Sequence, residues 1–149
     1  MRRLHRFIAF AAFLLLGVPP SASAEQSRRI GDVVVHYNAL STEHLPASMA
    51  STYGFERSNR RGLVNISVQR EAAGAVPQVL AAKVQVTAIG LTGHRQRIEM
   101  REIREGDTVD YIGDFPVAPP DTLRFEVEVV PAGADRALSL EFSKEFAGD

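Results

Sequence analysis

A period of two governs this chain more than any other feature. Leu123, Phe125, Val127 and Val129 are apolar, and Arg124, Glu126 and Glu128 between them are charged. Strand side chains point to opposite faces in turn, so such a run has one dry face and one wet face. The pattern recurs along the chain. Leu138, Leu140 and Phe142 alternate with Ser139, Glu141 and Ser143, beyond a turn at Pro131, Ala132 and Gly133. Val64, Ile66 and Val68 face away from Leu63, Asn65, Ser67 and Gln69. Val84, Val86 and Ala88 line one side of 83–89. Ile98 and Met100 lie between Arg97, Glu99 and Arg101 in a strand predicted over 96–103. Val33, Val35 and Tyr37 oppose Val34, His36 and Asn38. A short strand over 108–112 follows the Glu105-Gly106-Asp107 turn, with Phe115 and Val117 as an extension. Pro116, Pro119 and Pro120 mark an edge or a linker there.

These runs predict an all-β fold: an antiparallel β-sandwich of about seven strands with one short helix in a loop. The helix is expected over 48–53, after Pro46 and before Gly54, with Leu45, Met49 and Tyr53 four residues apart. A parallel α/β fold needs a helix between most strands, and this is the one helical segment. Residues 25–29 read as a loose polar tail.

The first two dozen residues follow a different logic. Arg2, Arg3 and Arg6 precede an apolar run of twelve residues from Phe7 to Val18, broken by Pro19 and Pro20. Ala22-Ser23-Ala24 is a small-x-small site. Residues 1–24 therefore read as a signal peptide cut between Ala24 and Glu25, and 25–149 as a single β-sandwich domain. As a helix, the apolar run spans about 18 Å, short of a hydrocarbon layer of about 30 Å. The expected address is the periplasm, with no stable membrane insertion after processing.

Charge and cysteine narrow the chemistry. The chain has 17 Lys and Arg against 18 Asp and Glu, and loss of the three leader arginines takes the net charge from −1 to about −4. That balance speaks against a nucleic-acid partner. The absence of cysteine removes disulfides, thiolate nucleophiles and zinc-thiolate sites together. There is no GxGxxG, GxxxxGK[ST] or GxSxG pattern. His36, His44 and His94 form no HxH or HExxH pair, and no cofactor is expected. Glu102, Glu105, Asp107, Asp110 and Asp114 surround a turn with Arg101 and Arg104 beside them, which reads as a solvated turn with screened ion pairs. Asn65-Ile66-Ser67 matches a glycosylation sequon by spacing.

Arg57, Arg60 and Arg61 form the most distinctive cluster, after Tyr53 and Phe55 and before the strand that carries Asn65. Guanidinium forks suit carboxylate and phosphate groups. The same arginines can instead pair with the chain's own acids.

Several segments also resemble a catalogued family. His36-Tyr37-Asn38-Ala39, Leu45-Pro46, Tyr53-Gly54, Arg57-Ser58 with Arg60, and Gly62-Leu63-Val64-Asn65-Ile66-Ser67 are similar to the pattern of DUF4426, an uncharacterised family of small exported bacterial proteins. Arg101-Glu102-Ile103, Glu105-Gly106, Tyr111-Ile112 and Leu140-Glu141-Phe142 with Phe146 resemble its later part. Asp110-Tyr111 departs from it, where the family pattern has an aromatic pair. The resemblance implies an immunoglobulin-like sandwich and a periplasmic address, and it implies no activity. It directs attention to His36, Asn38, Tyr53, Arg57, Arg60 and Asn65, with the 41–61 loop folded over one end of the sheet; these residues either form a binding patch or lock the loop in place.

Three functions remain. The first is a non-enzymatic protein-binding or accessory module whose partner is a periplasmic protein. The second is a binder of a small anionic ligand through Tyr53, Arg57 and Arg60. The third is a hydrolytic enzyme with His36 as base, for which the sequence offers no nucleophile.

Overall fold

The structure is a computed structural model that describes residues 26–148. The leader at 1–24 and the cut between Ala24 and Glu25 lie outside the described residues.

Ten strands are present among the described residues, and they form two sheets. β1 (Gln26–Ile30) and β2 (Val33–Ser41) make a hairpin; β3 (Arg61–Arg70) follows the helical segment. β4 (Gln78–Val79) is a two-residue strand, and β5 (Ala82–Ile89) leads to β6 (Arg95–Ile98). β7 (Arg101–Glu105) and β8 (Thr108–Pro116) make a second hairpin; β9 (Asp121–Pro131) and β10 (Leu138–Phe146) close the chain. The six-stranded sheet runs β1-β2-β3-β8-β7, with β4 also paired to β3; the four-stranded sheet runs β10-β9-β5-β6. Every pairing described is antiparallel.

The two inner faces meet where the alternation places them. Val35, Val64, Ile66 and Val68 from one sheet and Val86, Phe125 and Val129 from the other are fully buried. Aromatic rings join the layers. Tyr37 stacks on Phe142 at 4.6 Å and Phe142 on Phe125 at 4.9 Å, while Phe115 meets Phe125 and Phe146 edge-on at 5.4 and 5.9 Å. Offset and edge-to-face contacts of this kind add to simple burial. Two glycines make room for close packing, one under a ring and one under the crossing between sheets. A Cβ on Gly62 would stand 2.4 Å from the Phe115 ring, and one on Gly113 would stand 2.5 Å from Ile98 and 2.8 Å from the Glu99 carbonyl.

Three departures from the sequence reading have physical causes. Residues 26–30 form an edge strand rather than a loose tail. Gly31 at φ 66° allows a two-residue turn between Ile30 and Val33, and polar side chains suit an exposed edge. The run at 96–103 is two strands. Ile98 pairs with Val86 in one sheet and Ile103 with Asp110 in the other, so the chain changes sheets at Glu99 and Met100. Period-two alternation cannot report that change, because both sheets bury into the same core. These two differences and the short β4 raise the count from about seven. Met49, expected on the packed side of the helix, is 45% exposed; Ala50 takes the buried place. Among the described residues no helix is long and apolar enough to cross a membrane.

Candidate functional site

Between β2 and β3 the chain leaves the sheet and folds back over its outer face. Thr42–His44 forms a 3-10 turn, and α1 (Ala47–Tyr53) follows Pro46. Gly54 ends the helix in the left-handed region at φ 72°, where a Cβ would be strained. Seven residues cannot hold a helix alone. Leu45, Ala50 and Phe55 hold this one by packing on Leu63, with Leu40, Tyr53 and Ile112 around them. A second apolar cluster thus sits outside the sandwich. A polar clasp closes it. The buried Thr42 hydroxyl donates to the Ser58 carbonyl and accepts from the Ser58 N–H, both at 3.0 Å. Arg101 of β7 lies over the Phe55 ring at 4.7 Å and donates to the Tyr53 carbonyl at 3.1 Å.

The six patch residues fall into separate places. His36, Asn38 and Asn65 share the outer face of β2 and β3. Asn38 is the cross-strand partner of Asn65, and His36 is the partner of Ser67. A depression of about 230 Å³ lies there, lined by His36, Tyr37, Asn38, Asn65 and Ser67. Tyr53 packs against the outer apolar cluster. Arg57 donates to the Glu43 carbonyl at 3.0 Å and so ties the loop to itself. Arg60 lines a different cleft of about 700 Å³, with His94, Gln96, Pro116, Val117 and Asp121. Sequence reasoning missed Ser67. The missing signal was pairing register, since the Ser67 side chain meets His36 only when β2 and β3 align.

A further cleft opens at the seam between the sheets. β1 covers β2 only as far as Tyr37. Over 38–41 the outer side of β2 has no strand partner among the described residues. The cleft beside it holds about 600 Å³ and is lined by Asn38, Ser41, Glu43, His44, Lys144 and Phe146, among others. Lys144 is the informative residue. It follows Leu138, Leu140 and Phe142 on the inward face of the edge strand β10. An inward charge on an edge strand discourages sheet-to-sheet aggregation. The apolar alternation of Leu138, Leu140 and Phe142 does not mark this position, because a charge stands where the next apolar residue would.

The carboxylate-rich turn behaves as solvated ion pairs. Arg104 holds Glu102 below the usual carboxylate range by hydrogen bonding. Tyr111 donates to Glu102 at 3.2 Å and accepts the Ala82 N–H at 2.8 Å, and burial pushes its phenol up. Among the described residues no group of three or more His, Asp or Glu side chains is placed to hold a metal ion.

The class defined so far is a small two-sheet β-sandwich, with one helix clasped over a sheet face and a polar strip beside it. The family model for DUF4426, a domain of unknown function, matches residues 27–149, and the chain belongs to that family. A crystal structure of a DUF4426 family protein from Pseudomonas aeruginosa is 31% identical, with a TM-score of 0.70 over 84% of this chain and 96% of that one. FetP from uropathogenic Escherichia coli strain F11 shares the fold at 9% identity. Its copper-bound variant gives a TM-score of 0.59 over 84% of this chain and 96% of that one. The as-isolated protein gives 0.60 over 84% and 95%. At that identity the likeness is one of fold alone. No curated protein matches the chain.

Proposed function

We propose that this protein is a non-enzymatic binding module that takes an extended segment of a partner protein along the open half of β2. The observation that carries this is the strand edge at 38–41, unpartnered among the described residues and opening on the cleft of about 600 Å³. An extended chain laid there would hydrogen-bond the β2 backbone, and the cleft would receive alternate side chains. Leu40 and Phe146 supply apolar wall; Glu43, Glu145 and Lys144 supply charge at its rim. β1 already occupies the other half of the same edge, so an added strand continues an existing layer.

The leader at 1–24 supports a periplasmic setting, with 25–149 as one domain released by the cut after Ala24. The two antiparallel sheets around an aromatic core support an immunoglobulin-like reading of the sandwich. The small-anion reading relies on Arg57 and Arg60, and these two side chains serve different surfaces.

A photo-crosslinking residue at Lys144, compared with one at Gln85 on the outer face of the four-stranded sheet, tests the proposal. Crosslinking to a partner from position 144 and not from 85, with slowed amide exchange over 38–41 in the complex, is expected. Equal crosslinking from both positions, or protection elsewhere on the molecule, contradicts it. Mass measurement of the exported protein checks the address: its first residue should be Glu25.

A further inference from the structure

The outer face of the six-stranded sheet carries a second feature, which strand addition does not use. Cross-strand partners share a face. Asn38, Asn65 and Ile112 therefore form one row, and Ser27, His36, Ser67 and Asp110 form the next. The depression of about 230 Å³ lies over these rows, in the lee of the helical cover. Outer-face positions on central strands are commonly long and solvated. Here they are short, and the Asn65 Oδ1 is buried with no hydrogen-bond donor among the described residues. Leaving such an acceptor unmet is costly. Asp110 is half-buried beside Ser67 and joins no ion pair among the described residues.

Three nearby arginines are engaged elsewhere. Arg101 is held by the Tyr53 carbonyl and the Phe55 ring, Arg61 pairs with Asp114, and Arg57 is tied to Glu43. The strip therefore presents the Asn38 and Asn65 amides, the Ser67 hydroxyl and the His36 ring, with one carboxylate beside them that joins no ion pair among the described residues. An anion would meet repulsion there, and an alcohol would leave Asp110 without a counter-charge. We propose that this depression binds a small primary ammonium group, with Asn65 Oδ1 and Ser67 Oγ as acceptors from its lining and the Asp110 carboxylate reaching it from beside Ser67. Three donors on a compact head match three acceptors on adjacent strands. The volume admits a short alkyl amine or the end of a lysine side chain.

Nuclear magnetic resonance titration of the protein with propylammonium, propionate and propanol separates charge from size. The range should reach roughly 50 mM, as a ligand of so few atoms requires. Propylammonium should shift the Asn65 side-chain amide and the Ser67 backbone amide with saturation, and the other two should not. Asp110→Asn keeps the shape and should weaken binding about tenfold, the loss of one charge-assisted contact. Asn65→Leu should abolish the shift at Ser67. Comparable shifts from propionate or propanol overturn the proposal. So does an absence of saturation with propylammonium, or full affinity in Asp110→Asn.

Discussion

Two apolar clusters hold this molecule, and they are built on different terms. The inner one lies between the sheets and contains 21 buried residues among those described, including Phe115, Phe125 and Phe146. The outer one lies under the 42–60 cover and contains four: Leu45, Ala50, Phe55 and Leu63. Both gain from removing apolar area from water. The inner cluster is covered by two hydrogen-bonded sheets. The outer cluster is closed by a threonine clasp and one arginine, so it rests on a few polar contacts. Large cores follow from a repeated pattern, whereas small covers follow from particular residues.

Substitutions can break this contrast, beginning with the largest effect. Phe125→Ala removes a ring with no exposure and its contacts with the Phe115 and Phe142 rings. It should lower stability by about 3–5 kcal/mol in one cooperative transition, read by denaturant titration. A small or local loss would mean that the two sheets are not one core. Gly113→Ala should cost about 1–3 kcal/mol, because its Cβ meets the Glu99 carbonyl where the chain crosses between sheets. A neutral result there would place the crossing elsewhere.

Thr42→Val should act on the cover alone. It leaves the half-buried Ser58 N–H without its acceptor, a cost of about 1 kcal/mol. Amide exchange across 42–60 should quicken while the strands of the inner core keep their rates. Global unfolding of this variant would merge the two clusters into one unit.

The smallest expected effect is the one that depends on pH. Burial raises the Tyr111 phenol above its ordinary value. The unfolded chain then releases the proton first. The phenol's contribution is complete below about pH 10 and is lost as pH rises through and beyond that value. Tyr111→Phe should flatten the alkaline fall in stability, and should cost about 1 kcal/mol at neutral pH by leaving the Ala82 N–H unmet. An unchanged alkaline profile would show that this phenol is not held protonated by burial.

The inner cluster was legible from sequence because its inward residues obey one rule. Leu123, Phe125, Val127 and Val129 are all buried, as are Val64, Ile66 and Val68. The limits of that rule show at Ile98 and Met100, where alternation runs on through a change of sheet. They show again at 26–30, where an edge strand of polar residues carries no apolar period. The site was legible in part. Alternation placed His36, Asn38 and Asn65 on one outer face, and the 41–61 loop was expected over the end of the sheet. Register was needed to set Ser67 and Asp110 beside them, and three-dimensional packing was needed to send Arg57 and Arg60 apart.

The open half of β2 is the claim on which the binding role stands, and residue-by-residue amide exchange on the free protein addresses it. Within the one strand, the outward amides of 33–37 should be protected by β1, and those of 38–41 should exchange faster by orders of magnitude. Uniform protection along the strand would mean that its edge is already filled, and that no partner strand has a place there.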